Sequence, residues 1–321
     1  MRTLGTGNVR GPPGYVAGTP PPLVPRPHLR FEIGLVLVIL IWGVNFAVIK
    51  VPLEVAPPFV VNLFRFVVSL AMLGGLHLVQ SRQRGVSPLA TLQVGGGQVL
   101  GLGLLGIAVY QVGFIVGVDL VTAGMAALLI ASSPLWTAVA GHVLGTERLT
   151  AAKWTGIGVS LSGVALVVWG APERSLGGDV RGVALMLGAS VAWGLYTALS
   201  RPLLQRGASP VGLTFWGIVV SFPLLFAMAA PQLGGLAWDE FGLGFWAAIV
   251  FSGGLSTGLA YGIWNAAVHQ FGPSPTAIAA NAVPVVGVLA GVVFLDEPVL
   301  LLQLLGGALV IAGVVLVRRA R

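Results

Sequence analysis

Residues 134–147 read PLWTAVAGHVLGTE, and residues 284–297 read PVVGVLAGVVFLDE. In each, a proline opens an apolar run, a glycine follows seven residues later and a glutamate closes it, at a displacement of 150 residues. The same displacement carries Gly156 onto Gly306 and Gly163 onto Gly313. A displacement of 151 carries Trp42-Gly43 onto Trp193-Gly194 and Tyr110 onto Tyr261. The chain is an internal duplication. The copies end on opposite charge, since Arg148 and Lys153 follow the first while Asp296 and Glu297 close the second.

The solvent of this duplicated unit follows from its composition. Of 321 residues, 56% are hydrophobic and only 8% are charged, whereas a soluble domain carries roughly 25% charged residues to face water. Lipid must cover most of the surface. The 47 glycines suit close helix packing in a membrane. Without cysteine, disulfides, thiolate catalysis and cysteine-ligated metals are excluded. A net charge of +7 would suggest nucleic acid in a soluble protein. Here the basic residues sit in short loops and tails, where they set membrane orientation instead, and no nucleic acid partner is expected.

Charges punctuate the apolar runs. A spanning helix needs about 20 mostly apolar residues, and charge-free intervals such as 85–118, 120–146, 207–238 and 298–317 supply them. The interval 241–295 is long enough for two spans, divided at Phe271-Gly272-Pro273-Ser274-Pro275. The expectation is an all-α membrane protein with ten transmembrane helices, near 32–50, 57–80, 94–117, 121–144, 153–170, 182–201, 209–230, 242–267, 274–295 and 300–318. Residues 1–30, rich in proline and arginine, read as a disordered cytoplasmic tail. Residues 31–170 and 181–318 form the two repeats, five helices each. An odd number of helices per copy inverts the second copy across the membrane. With both termini cytoplasmic, that side collects 13 Lys and Arg residues and the other side holds Lys50, Arg174 and Arg181. Inverted repeats belong to secondary transporters, whose site lies at the repeat interface near the midplane.

The residues Trp42-Gly43-Val44-Asn45-Phe46, Arg65-Phe66 and the two segments Pro134…Glu147 and Pro284…Glu297, in that order and duplicated, resemble the drug/metabolite transporter superfamily, specifically its EamA-like family. The resemblance covers residues 32–317. It implies ten helices, cytoplasmic termini, a central cavity and transport of small metabolites, often outward, in a bacterial cell (inner) membrane. The second half departs from the first: Trp193-Gly194-Leu195-Tyr196 lacks an asparagine, and the seventh helix has no partner for Arg65.

Arg65 lies about 12 Å along its helix from Pro57. A charge that deep costs roughly 2.5–3.5 kcal/mol on insertion scales, so either it lines a cavity as a fixed charge for a substrate carboxylate, or it snorkels or bonds helix carbonyls. Trp42, Asn45, Tyr110, Gln111, Trp193, Tyr196, Tyr261, Trp264, Asn265 and Asn281 are the other candidates for substrate binding. A mainly aromatic cavity with few polar groups suits small amphipathic ligands such as amino acids, though each residue alone can equally serve helix packing or interfacial anchoring. Pro134 and Pro284 sit mid-span and would kink their helices, for gating or for plain packing. Glu147 and Glu297, just before the fifth and tenth helices, would sit favourably beside a helix N-terminus, with substrate coupling as the alternative role.

No metal, cofactor or catalytic residue is expected. His77, His142 and His269 have no ligand spacing. The glycine motif at 101–106 follows no strand, so it is not a nucleotide loop. Gly188-Ala189-Ser190-Val191 has no histidine at a matching depth to make a membrane serine protease. The expected function is a small-molecule carrier working by alternating access. Its rivals are a non-transporting scaffold or receptor and a membrane-embedded enzyme. A homodimer is compatible with the sequence.

Overall fold

A computed structural model describes residues 28–145, 149–169 and 179–319, and among these the chain is helical throughout, with no strand. Seven of the described helices are long and apolar enough to cross a membrane. They are α1 (Phe31–Leu53), α2 (Pro58–Arg84), α3 (Ala90–Leu120), α4 (Ala123–Val143), α6 (Val180–Gln205), α7 (Pro210–Gly235) and α8 (Leu243–Phe271). Three shorter apolar helices fill the remaining places: α5 (Ala151–Val167), α9 (Ala280–Leu295) and α10 (Leu301–Val317). Against the expectation of ten spans, the described residues hold seven helices of spanning length and three shorter apolar ones. The break ahead of α9 has a cause. Pro273–Ala279 forms a separate short helix, Ala280–Ala282 is a tighter turn, and Pro284 opens the helix Val283–Leu295 in its first turn, where a missing N–H costs nothing. α4 breaks at the equivalent place, between Ile130 and Ser133, with Pro134 in the first turn of its second part. At the N-terminus the first helix begins at His28, inside the stretch read as tail.

The two halves meet around a pseudo-two-fold axis, and the glycines make the symmetry visible. A Cβ added to Gly156 would stand 2.7 Å from the carbonyl oxygen of Gly313, and one added to Gly163 would stand 2.6 Å from that of Gly306. Gly306 is the repeat counterpart of Gly156 and Gly313 that of Gly163, so the pairs form crosswise. α5 and α10 therefore run antiparallel in backbone contact, and only glycine permits that approach.

A second pair of contacts obeys the same symmetry. The Ser69 hydroxyl on α2 donates to the carbonyl of Gly253 on α8 at 2.6 Å, and also lies 2.8 Å from that of Arg65. The Ser221 hydroxyl on α7 lies 3.0 Å from the carbonyl of Gly103 on α3 and 2.8 Å from that of Gly217. Ser69 thus corresponds to Ser221, Gly253 to Gly103, and Arg65 to Gly217. Both α3 and α8 widen into a π-helical stretch at this level, Leu104–Val109 and Phe251–Leu259, a local rearrangement frequent at functional sites. The 101–106 glycine motif is explained by packing: Gly103 lies against Gly217, and Gly106 against the Tyr196 ring.

At one end of the bundle, Lys50 Nζ donates to the carbonyls of Val121 at 2.6 Å and Asp119 at 3.4 Å, tying α1 to the α3–α4 turn. The opposite end carries Arg84, Arg201 and Gly272, where the His77 ring meets the Pro88 carbonyl at 2.8 Å. These are the Lys50 end and the Arg201 end.

Candidate functional site

Between the halves lies a narrow cavity with about 50 Å³ of room for water, open in part to solvent. Its polar pole is Arg65, which is 1% exposed. The residues around the guanidinium follow from helical spacing. Asn62 precedes it by three positions on the same face of α2, and its Oδ1 accepts from Nη1 at 3.0 Å. Gln111 Oε1 on α3 accepts from Nη1 at 3.3 Å, and Thr257 Oγ1 on the widened turn of α8 accepts from Nη2 at 3.0 Å. Phe114 lies beneath, its ring centroid 5.8 Å from Cζ, within cation–π range.

Every one of these partners is neutral. Nε has no acceptor, and Nη2 has given one of its two protons to Thr257. A buried cation held only by neutral oxygens lacks the counter-charge that normally accompanies it. The guanidinium fork keeps donors free for a planar, bidentate acceptor such as a carboxylate.

Facing this pole is an aromatic group straddling the pseudo-two-fold axis. Trp42 and Trp193 meet edge to face at 5.4 Å. Each packs on the other half's tyrosine, Trp42 on Tyr261 at 5.9 Å and Trp193 on Tyr110 at 5.1 Å. The Gln111 amide donates to the Tyr261 hydroxyl at 2.9 Å, joining the aromatics to the arginine network. The Asn45 and Asn281 side chains also line the cavity, and each has a buried amide oxygen without a donor. Unpaired buried acceptors are costly, so a ligand N–H is the natural partner for them.

Of the eleven residues singled out for substrate binding, Trp42, Asn45, Arg65, Tyr110, Gln111, Trp193, Tyr261 and Asn281 line this cavity, as do Pro134 and Pro284 at the two helix breaks. Tyr196, Trp264 and Asn265 do not line it. They are packed one turn nearer the Arg201 end, where Asn265 Nδ2 donates to the Tyr196 hydroxyl at 2.7 Å and Trp264 Nε1 to Thr197 Oγ1 at 3.3 Å. Sequence reasoning did not name Asn62, Phe114, Ser256 or Thr257. Asn62 was discoverable from its spacing to Arg65, whereas Thr257 is aimed by a π-helical turn that spacing rules do not anticipate.

Glu297 does sit beside a helix N-terminus, but of a different helix from the one expected. Its carboxylate accepts from the Ala123 and Gly124 amides at 2.6 and 2.9 Å, capping α4 in the other half rather than α10. The turn brings this about: Asp296 adopts a left-handed conformation, φ 51°, and the Glu297 amide returns to the Gly291 carbonyl. Glu147 lies outside the described residues. Among the described residues no group of three His, Cys, Asp or Glu side chains is placed to hold a metal ion.

Comparison with known proteins agrees with this architecture. The model of the EamA-like transporter family matches residues 30–169 and again 180–319. An "uncharacterized transporter" of Archaeoglobus fulgidus is 27% identical over 89% of this chain and 98% of its own. A "probable amino-acid metabolite efflux pump" of Salmonella typhimurium is 28% identical, covering 86% of this chain and 91% of its own. A "probable terminal-alkyne amino-acid exporter" of Streptantibioticus cattleyicolor is 30% identical, covering 89% and 92%. A crystal structure at 21% identity superposes with a TM-score of 0.64 over 90% of this chain and 97% of that one, which speaks for the fold. Duplicated, helical and built around a polar cavity between its halves, the chain is a multi-pass small-molecule transporter and belongs to the EamA-like transporter family.

Proposed function

We propose that this protein exports small carboxylate-bearing metabolites, amino acids or related amphipathic compounds, by alternating access around the cavity at Arg65. The observation that carries the reading is a fully buried guanidinium with neutral partners only, facing aromatic rings and the unpaired amide oxygens of Asn45 and Asn281. A carboxylate answers the first, an ammonium or amide N–H the second, and an apolar side chain the rings. One relative named for amino-acid metabolite efflux, from Salmonella, and one named for terminal-alkyne amino-acid export, from Streptantibioticus, support the same substrate class. In this reading residues 31–170 and 181–318 are inverted five-helix repeats crossing the membrane ten times, and Pro134 and Pro284 mark where α4 and α9 bend as access alternates.

The test is tracer flux with purified protein in liposomes. Saturable amino-acid flux that the unlabelled compound competes supports the carrier. Binding without flux supports a scaffold or receptor.

Orientation is proposed from the basic residues: the Arg201 end faces the cytoplasm of a bacterial cell and the Lys50 end faces outward. The native chain has no cysteine, so single cysteines report without background. Both Glu54 and Gln83 are exposed. A cysteine replacing Glu54 is expected to react with an impermeant thiol reagent in intact cells, and one replacing Gln83 to react only after lysis. The reverse pattern would invert the orientation.

A further inference from the structure

The pseudo-two-fold axis assigns every residue around Arg65 a counterpart on the Arg201 side of the cavity. Arg65 maps onto Gly217, Thr257 onto Gly106, Gln111 onto Gly262 and Asn62 onto Thr214, following the register of the Ser69 and Ser221 contacts and of Tyr110 and Tyr261. In this mirror position three of the four polar side chains have become glycines, and Asn62 has become Thr214. The space is not empty, because Asn45, which lines the cavity, maps onto Tyr196, whose ring lies flat against Gly106 and is 1% exposed. The Tyr196 hydroxyl accepts from Asn265 Nδ2 at 2.7 Å, and the same amide donates to Thr214 Oγ1 at 2.9 Å. Trp193, a wall of the cavity, stacks on Tyr196 at 5.2 Å. The phenol therefore stands immediately behind the cavity wall, on the path toward the Arg201 end.

Two halves built alike and inverted alternate access by exchanging conformations. The cavity reaches Arg65, and the mirror position is filled by the protein itself. We propose that Tyr196 is a built-in plug: it occupies the mirror counterpart of the Arg65 lobe, and its withdrawal connects the cavity with the Arg201 end. Gly106 is the seat of the plug, since any Cβ there would collide with the tyrosine ring. Asn265 and Thr214 form its latch. A substrate leaving through this lobe meets hydroxyl and amide groups in place of a guanidinium, so its carboxylate is held less tightly than at Arg65.

The proposal rests on the transport reading, but its test needs neither substrate nor flux. In the cysteine-free chain, Ser133→Cys places a single thiol on the cavity wall. Its reaction rate with an impermeant reagent is measured in membrane vesicles of both orientations, with the Gln83 cysteine identifying the Arg201 face. Tyr196→Ala is expected to raise the rate at least about tenfold from the Arg201 face and to leave it unchanged from the other. Gly106→Ala, which displaces the ring while keeping the tyrosine, Asn265 and Thr214, is expected to give the same one-sided rise, and Tyr196→Phe a smaller one. Should Tyr196→Ala not yield a monodisperse protein, the other two variants decide by the same criterion. No acceleration, or equal acceleration from both faces, overturns the plug and leaves the carrier reading intact.

Discussion

Arg65→Ala is expected to reduce transport of an anionic or zwitterionic substrate by roughly 30-fold to several thousand-fold, with protein abundance in the membrane near normal. The range is the about 2–5 kcal/mol cost of truncating one partner of a buried, hydrogen-bonded charge pair. Abundance is preserved because the deletion removes a buried cation whose protein partners are all neutral: Asn62, Gln111 and Thr257 keep each other's company or gain water in the cavity. Arg65→Lys is expected to restore part of the activity, since the charge returns while the planar fork does not. Flux in proteoliposomes at matched protein content is the measurement. Unchanged flux in the alanine variant would leave Arg65 a purely structural residue.

The second large effect concerns the driving force. Among the described residues lining the cavity there is no Asp, Glu, His or Lys, and arginine keeps its proton at all working pH values. Proton-coupled carriers place titratable carboxylates or histidines within the membrane, so we infer facilitated diffusion or exchange here. A pH gradient with the potential clamped at zero is then expected to drive no uphill accumulation. A potential of 100 mV acts on each elementary charge with about 2.3 kcal/mol, which shifts the distribution of a monoanionic substrate about 50-fold. Accumulation driven by the pH gradient alone, and lost in Glu297→Gln, would restore proton coupling through the capped end of α4.

Much of this molecule can be read directly from its residues, for a physical reason. In lipid every backbone group must be bonded internally, so long charge-free runs can only be helices, and the apolar intervals coincide with α1 to α4 and α6 to α8. The duplication was legible because glycines, prolines and aromatics cannot be exchanged freely at backbone contacts and kinks. Depth along a helix was legible for Arg65, which lines the cavity. Direction around the helix was not. Tyr196 and Trp193 are three residues apart on one helix, yet Trp193 lines the cavity and Tyr196 lies behind it, seated on a glycine of another helix. Which neighbour carries a glycine is a tertiary fact. The same holds for Glu297, whose cap on α4 depends on a left-handed turn at Asp296 that no helix-end rule indicates.

The seam between α5 and α10 has the logic of a homodimer enclosed in one chain. Because Gly156 meets Gly313 and Gly163 meets Gly306, each half offers the other the same surface it receives, which is the defining property of an isologous interface. Nothing in that contact requires a peptide bond between the partners. Separate polypeptides comprising residues 1–169 and 180–321 are therefore expected to associate when produced together, which co-purification would test. The covalent link fixes their ratio at one to one. It also freed the halves to diverge, so that one could keep an arginine where the other has a glycine.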